Sequence, residues 1–183
     1  MPASSERAVP AALAERAHAI RLLVLDVDGV LTDGTLYFSH GGEELKAFHI
    51  QDGLGIKLLR ASGVQVAIVT GRRSQALEQR ARELGVERLF QGADDKLAAF
   101  SSLLAAQELQ AAQAACMGDD LPDLPLLTRC GLAVAVPEAP EAVRARAHYV
   151  TRRGGGRGAV REVCELLMQV QGTFARAIDG YLR

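Results

Sequence analysis

Two aspartates separated by one residue end the first apolar run of the chain. Residues 22–26 read LLVLD, and Asp28 follows. A carboxylate is costly to bury unless it binds something or is paired. Polar residues also follow later apolar runs, at Thr70 and at Asp119, and Lys96 begins a helical segment. Because the carboxyl ends of parallel strands meet at one sheet edge, these side chains are expected to converge there.

This set of side chains indicates phosphoryl transfer. Clustered carboxylates suit Mg²⁺, which takes one or two of them together with waters and a substrate phosphate. One carboxylate can attack phosphorus to form an aspartyl-phosphate. A second acid two residues later can protonate the leaving oxygen and then activate water. Thr70, Lys96 and loop amides would hold the phosphoryl oxygens.

Alternating apolar runs and helix-period segments predict the sheet that positions these groups. VQVAIV and LAVAV are almost continuously apolar, as in strands buried on both faces. The pattern favours an α/β fold with a Rossmann-like, doubly wound parallel sheet. Strands are expected at Leu22–Asp26, Gln65–Thr70, Arg88–Phe90, Ala114–Met117 and Leu132–Val136, with a sixth at Tyr149. Helices are expected at Leu54–Ala61, Ser74–Leu84, Asp95–Gln107, Asp123–Thr128 and Glu138–Ala145.

One segment breaks the alternation. TLYFSHGGEELKAFHI, residues 35–50, has two short strand patterns around His40-Gly41-Gly42 and predicts a β-hairpin instead of a crossover helix. A hairpin placed directly after the first strand would project from the carboxyl edge of the sheet. The expected organisation is an N-terminal extension over 1–20, helical or disordered, one domain over 21–170, and a tail over 171–183.

Composition excludes several other classes. The chain has 183 residues, a net charge of −1 and 49% hydrophobic residues, which favours one globular domain without a nucleic-acid or membrane partner. Its apolar runs are too short for a membrane span, and the first 20 residues lack the apolar stretch of a signal peptide. Three widely spaced cysteines fit neither a zinc site nor a disulfide framework, so buried thiols and a cytoplasmic location are expected.

The segment DVDGVLT at 26–32, followed by Thr70, Lys96 and GDD at 118–120, resembles the phosphatases of the haloacid dehalogenase superfamily. The resemblance implies Asp26 as nucleophile, Asp28 as acid and base, and Thr70 and Lys96 as phosphate holders. It also implies magnesium held by Asp26, the backbone carbonyl of Asp28, and Asp119. Asp120 and Asp123 are expected to support Asp119 or Lys96, with capping of a helix as the alternative for Asp123.

A closer resemblance spans nearly the whole chain after residue 20. GEELKAFHIQDGLGI, IVTGRRSQALEQRARELG, QGADDKLAAF and YVTRRGGGRGAVREVCELLM are similar to the family of 3-deoxy-D-manno-octulosonate 8-phosphate phosphatases. That family is capless and tetrameric, so a hairpin and neighbouring subunits would cover each site. Position 49 is His where some members have asparagine, and position 57 is Lys where arginine is common. The implied substrate contacts are Asp28, His49, Ile50, Gln51, Asp52, Gly53, Lys57, Arg72, Arg80 and Lys96.

Two features remain open from the residues alone. Arg72 and Arg80 fit a solvated basic helix face as well as the carboxylate of a sugar acid, and only the family resemblance favours the second interpretation. The GGGRG run at 154–158 fits a flexible turn, a phosphate-cradling loop, or a segment that closes a neighbouring subunit's site. Arg157 is the residue that would test the last of these, and truncation after Thr151 is expected to impair catalysis more than folding.

The leading functional hypothesis is magnesium-dependent hydrolysis of the eight-carbon sugar phosphate, which would supply the sugar acid of lipopolysaccharide. A nonulosonate 9-phosphate phosphatase is the enzymatic alternative. A phosphoaspartate receiver is disfavoured because an acid and base at Asp28 would shorten the lifetime of its phosphoryl group. A vestigial assembly domain is disfavoured because all five motif residues are intact.

Overall fold

The computed structural model of the protein describes residues 9–42 and 44–182, which form eight strands and eight helices, with two short 3₁₀ turns. In chain order the elements are α1 (Ala11–Ala19), β1 (Leu22–Leu25), β2 (Tyr37–Phe38), β3 (Glu44–Leu45), α2 (Ile50–Ala61), β4 (Gln65–Thr70), α3 (Gln75–Leu84), β5 (Arg88–Gln91), α4 (Lys96–Ala106), β6 (Ala114–Gly118), α5 (Leu124–Leu127), β7 (Leu132–Ala135), α6 (Glu141–Arg144), β8 (Tyr149–Val150), α7 (Ala159–Val170) and α8 (Phe174–Asp179). The 3₁₀ turns are Ala111–Gln113 and Leu121–Asp123.

Six strands form one parallel sheet in the order β5-β4-β1-β6-β7-β8. Strands β1 and β7 are buried along their whole length, as their continuous apolar sequences predict. The strand order reverses between β1 and β6, which is where open α/β sheets form a crevice at their carboxyl edge. The predicted parallel sheet and its six strands are confirmed.

Helices α2 and α7 pack closely against each other. A Cβ atom at Gly55 would lie 2.9 Å from Cδ and 3.1 Å from Cα of Arg161, so only glycine permits this approach. Helix α2 begins at Ile50, four residues earlier than the predicted Leu54. Packing against α7 therefore overrides the low helix propensity of the two glycines in its first turns.

The ends of the chain also contribute to the core. Leu13 and Ala17 of α1 are buried among the core residues, and α7 buries most of one face. The N-terminal segment is therefore helical from Ala11 and belongs to the main packing unit, while residues 1–8 lie outside the described part of the chain. The predicted tail contains α8, with Phe174 packed against the core.

Strands β2 and β3 form the predicted antiparallel hairpin, with Tyr37 opposite Leu45 and Phe38 opposite Glu44. Apolar side chains on and beside the hairpin are exposed, namely Leu36, Tyr37, Phe38, Leu45, Ile50 and Leu54. Within residues 9–42 and 44–182, no helix combines the length and apolar character needed to cross a membrane.

Candidate active site

Asp26 lies directly after β1, at the carboxyl edge and beside β6. It is buried, and its backbone N–H donates to the Met117 carbonyl at 3.0 Å. The chain then turns tightly, because the amides of Leu31 and Thr32 both donate to the Val27 carbonyl. The Thr32 hydroxyl lies inside this turn and accepts a 3.3 Å hydrogen bond from the Gly29 N–H. Backbone hydrogen bonds and the Thr32 hydroxyl thus fix the turn that follows Asp26.

Only glycine fits at position 29 of this turn. Its φ of +101° lies in a region that side-chain-bearing residues avoid. A Cβ atom there would lie 2.1 Å from Oδ2 of Asp119. The glycine therefore lets the Asp119 carboxylate, which follows β6, approach the turn that carries Asp26.

Lys96 connects Asp26 to Asp123. Its Nζ lies 2.6 Å from Oδ1 of Asp26 and 2.6 Å from Oδ1 of Asp123. Burial by itself lowers the pKa of the Lys96 ammonium, but the two carboxylates outweigh burial and raise it above its usual value. Lys96 therefore keeps its charge next to Asp26. Asp95 caps α4 by accepting from the Ala98 N–H at 2.9 Å, which fixes the start of the helix.

Asp123 makes supporting contacts with both of its oxygens. Oδ1 binds Lys96, and Oδ2 accepts from the backbone N–H groups of Asp119 and Asp120 at 3.0 and 3.3 Å. Asp120 is exposed and accepts from the Leu121 N–H at 2.8 Å, so its carboxylate caps the turn Leu121–Asp123. Asp123 thus makes the predicted contacts with Lys96 and the Asp119 amide, whereas Asp120 caps a turn, a role that was considered only for Asp123.

The donor set fits a divalent cation. Carboxylate oxygens of Asp26, Asp119 and Asp123 lie within 4.8 Å of one another. Burial, with the Asp123 charge second, raises the pKa of Asp26 to about 6 against the opposing effect of Lys96. Burial, with the charges of Asp26 and Asp123, raises the pKa of Asp119 to about 8. A cation between Asp26 and Asp119 would remove this repulsion, whereas Asp123 already uses both oxygens.

Lys46 beside the hairpin strand reaches Asp28, with Glu44 paired next to it, and neither residue was expected at the site from the sequence. The Lys46 ammonium pairs with Oδ1 of Asp28 and lies 2.9 Å from Oε1 of Glu44. Glu44 also pairs with Arg72, whose Nε lies 3.7 Å from Oδ2 of Asp28. The sequence could have indicated this contact through the alternation of side chains along a strand, which places residues 44 and 46 on one face of the hairpin.

Thr70 lies at the level of Asp26 on the neighbouring strand. Leu25 of β1 pairs with Ile68 of β4, so both strands end within two residues of the same level. Thr70 is buried, and its hydroxyl accepts a 3.4 Å hydrogen bond from the Arg72 N–H. The structure therefore brings Asp26, Asp28, Thr70, Lys96 and Asp119 to adjacent strand ends.

The remaining residues predicted to contact substrate lie around the start of α2. The Arg80 guanidinium donates to the His49 carbonyl at 3.4 Å and lies 6.0 Å above the Phe48 ring. Gly53 makes room for Arg80, since a Cβ there would lie 2.3 Å from Nη2. Ile50, Gln51 and Lys57 are exposed on α2. Residues 49–53 thus form the cap and first turn of α2, whereas the sequence assigned His49 and Ile50 to the hairpin.

Asp52 has a structural set of contacts. Its side chain is buried, and its oxygens accept from the Gly158 N–H at 3.2 Å and the Arg161 N–H at 2.7 Å. These are the first free amides of α7, so Asp52 caps that helix from α2. This pairing engages the carboxylate within the fold, and the predicted contact of Asp52 with substrate stays a prediction.

The GGGRG segment packs against the turn that carries Asp28 and Gly29. The Gly156 N–H donates to the Val30 carbonyl at 2.9 Å, and a Cβ atom at Gly155 would lie 1.8 Å from the Gly29 carbonyl oxygen. Arg157 points outward, 3.5 Å from Oδ2 of Asp33, at a pocket of about 360 Å³ that Asp119 also lines. The segment thus supports the catalytic turn of its own chain.

Truncation after Thr151 is therefore not the selective test that was expected. It would remove α7, whose buried residues include Val160, Val163 and Leu167. Losing several core side chains, at roughly 2–5 kcal/mol each, exceeds the stability of a typical domain.

Comparison with known proteins identifies the class of enzyme that this chain resembles. The family model of haloacid dehalogenase-like hydrolases matches residues 89–159. A 3-deoxy-D-manno-octulosonate 8-phosphate phosphatase from Yersinia pestis is 53% identical, over 86% of this chain and 84% of its own.

Two solved structures agree with this match. The Moraxella catarrhalis phosphatase in complex with magnesium, phosphate and KDO has a TM-score of 0.91 at 43% identity, covering 92% of this chain and 97% of its own. The cobalt-bound Haemophilus influenzae enzyme has a TM-score of 0.87 at 39% identity, covering 92% and 99%. The chain belongs to the 3-deoxy-D-manno-octulosonate 8-phosphate phosphatase family within the haloacid dehalogenase-like hydrolases.

Proposed function

We propose that this chain hydrolyses 3-deoxy-D-manno-octulosonate 8-phosphate to the free sugar acid and inorganic phosphate, as a step of lipopolysaccharide biosynthesis. The observation that carries the proposal is the Asp26–Lys96–Asp123 cluster facing Asp119 at the reversal of strand order. It occurs in a chain 53% identical to a phosphatase named for this substrate.

The first chemical step uses the oxygen of Asp26 that Lys96 leaves free. Lys96 binds Oδ1, so Oδ2 is available to attack phosphorus. The Asp26–phosphorus bond forms as the bond from phosphorus to the sugar oxygen breaks, and Asp28 gives that oxygen a proton. Lys96, at the start of α4, and Thr70, at the end of β4, would hold the phosphoryl oxygens.

The second step reverses the proton transfer. Asp28 takes a proton from water, the water oxygen bonds to phosphorus, and the Asp26–phosphorus bond breaks. Asp26 and Asp119, with the backbone carbonyl of Asp28, would hold Mg²⁺. The bound ion would neutralise negative charge that Lys96 alone cannot balance. Asp123 would keep Lys96 and the Asp119 backbone in register through its three hydrogen bonds.

Cationic side chains around this centre suit the carboxylate of a sugar acid. Arg72 is 45% exposed beside Asp28, and Lys57 and Arg80 follow on α2 and α3. A guanidinium binds a carboxylate with two parallel hydrogen bonds, which favours Arg72 and Arg80 for the sugar's acidic end. Lys57 would supply a third positive charge.

Self-association would complete the site. The exposed apolar side chains of the hairpin and the start of α2, Phe38, Leu45 and Ile50 among them, form an apolar surface beside the catalytic edge. A homotetramer that buries this surface is our proposal for the assembly, and light scattering after size exclusion tests it. Cytoplasmic location stays a prediction, and the three cysteines are buried free thiols as expected.

Phosphate release from a panel of sugar phosphates, with magnesium and with a chelator, tests the function. Metal-dependent preference for the eight-carbon sugar acid phosphate is expected. Preference for a nine-carbon nonulosonate 9-phosphate would support the proposed phosphatase mechanism but show that the substrate is the nine-carbon acid. Absence of release from every member of the panel, by folded protein with added magnesium, would refute the proposal.

A further inference from the structure

We propose that Lys46 is a positioning residue that binds Oδ1 of Asp28 and thereby makes Oδ2 the oxygen that exchanges the proton in both catalytic steps. This inference rests on the proposed phosphatase function and extends it to the hairpin. It assigns the hairpin a role in catalysis besides covering the site.

The placement of Lys46 is unusual for a lysine. Only 3% of its side chain is exposed, although it follows a two-residue strand of a surface hairpin. Buried ammonium groups are costly unless they are paired. Lys46 is paired twice, with Asp28 and with Glu44. The side chain of Leu45, which faces the other way, is 56% exposed. The inner face of the hairpin is thus built around the contact with Asp28.

The two oxygens of Asp28 differ in their surroundings. Oδ1 accepts from Lys46, while Oδ2 is shielded from solvent and has no hydrogen-bond partner among the described residues. Arg72 Nε lies 3.7 Å from Oδ2, which is beyond hydrogen-bond distance. Glu44 holds the terminal nitrogen of Arg72 on the other side. A buried oxygen without a partner is the atom at which a proton can be held and released.

Glu44 completes the arrangement by keeping each cation in its place. It binds Lys46 through Oε1 and Arg72 through Oε2. Without Glu44, Arg72 would be free to move the short distance to Oδ2 and occupy it. The expected order of importance is therefore Lys46, which acts on Asp28 directly, and then Glu44, which acts through the two cations.

In both steps one proton is transferred at Oδ2 of Asp28 while one bond to phosphorus forms and another breaks. In the first, the proton on Oδ2 moves to the sugar oxygen as its bond to phosphorus breaks and the bond from Asp26 forms. In the second, a water proton moves to Oδ2 as the water oxygen bonds to phosphorus and the Asp26 bond breaks. Lys46 donates to Oδ1 throughout, so the carboxyl group keeps one orientation.

Leaving-group dependence tests the proposal. An aryl phosphate such as p-nitrophenyl phosphate has a leaving group that departs without protonation, whereas the sugar alkoxide needs it. Since kcat/KM reports only the steps up to release of the leaving group, Lys46→Met should lower it about 10- to 100-fold for the sugar phosphate, because Lys46 only positions an acid whose whole contribution is about 10²- to 10⁴-fold. The loss for the aryl phosphate should be less than about threefold. Lys46→Arg should retain much of the wild-type kcat/KM. Glu44→Gln should also lower kcat/KM more for the sugar phosphate than for the aryl phosphate, but by a smaller factor than Lys46→Met.

A double variant separates positioning from direct substrate binding. If Lys46 acts through Asp28, Lys46→Met should cause no further loss in an Asp28→Asn background, because the group it positions is already disabled. Arg82→Met, at an exposed position of α3, is the matched control for loss of a cation. Equal losses on both substrates, or losses that multiply in the double variant, would overturn the proposal. The ratio of kcat/KM for the two substrates does not depend on the fraction of enzyme that is folded. If the wild-type enzyme hydrolyses the aryl phosphate but not the sugar phosphate, that result counts against the proposed function and not against the role of Lys46.

Discussion

Substitution of Gly155 by alanine should damage catalysis from a position that carries no chemistry. Gly155 lies against the turn of Gly29, and a Cβ atom there would be 1.8 Å from the Gly29 carbonyl oxygen and 2.9 Å from that of Thr32. Contacts of a real Cβ are essentially never shorter than 3.0 Å, so one of the two backbones must move by about 1.2 Å. The turn on which Gly155 packs carries Asp28 and follows Asp26 directly, so its displacement moves both catalytic acids.

The magnitude follows from this displacement. A 1 Å misplacement of catalytic groups costs about 100-fold in rate, so kcat/KM for the sugar phosphate should fall by about that factor. Overpacking of this kind costs about 1–3 kcal/mol of the free energy of unfolding. For a chain of this size that lowers Tm by roughly 2–12 °C. Most molecules therefore remain folded in an assay well below Tm, and the activity loss reports on geometry.

Phosphate release and thermal unfolding, measured on the same preparation, provide the test. Gly180→Ala is the matched control, because its added methyl would lie 3.7 Å from the nearest atom and its φ of −62° suits alanine. The control should retain wild-type activity and Tm. If Gly155→Ala keeps kcat/KM within twofold of wild type, the claim that the glycine segment supports the catalytic turn is refuted.

Three further predictions concern the acidic cluster. Asp26→Asn should abolish phosphate release, since an amide cannot attack phosphorus; activity in a preparation free of wild-type enzyme would exclude Asp26 as the nucleophile. Asp123→Asn removes a charged partner of Lys96 and should lower the free energy of unfolding by about 1.5–3 kcal/mol, measured by urea titration; an unchanged midpoint would contradict the supporting role. The pKa values of Asp26 and Asp119 are raised from 3.8 to about 6 and about 8, so without metal their contribution to stability is present below pH 4 and is lost as pH rises through 6 and 8. Magnesium should therefore raise Tm more at pH 8 than at pH 5.5 in scanning calorimetry, and the reverse order would contradict the assignment of this cation site.

Much of the catalytic centre was predictable because its residues lie at the ends of regular elements. Asp26 and Asp119 each follow a strand and Thr70 is the last residue of one, and parallel strands place their carboxyl ends together whatever their lengths. The hydrophobic pattern determines the strands, and the polar residue after each run determines the site. The fold class followed in the same way, and the predicted hairpin followed from its two glycines.

Only the tertiary structure decided which residues support that centre. Lys46 reaches Asp28, Asp52 caps α7, and Gly155 supports Gly29, across 18, 106 and about 126 positions of sequence. Each contact depends on how two elements distant in the chain are packed, and local sequence carries no signal of its partner. Asp52 shows the difference most clearly: an acid in the first turn of a helix suggests ligand binding or exposure, yet packing of α2 on α7 assigns it to two backbone amides. The sequence by itself determined the chemistry at the strand ends, because strand ends are local, and the packed chain decided what holds that chemistry in place.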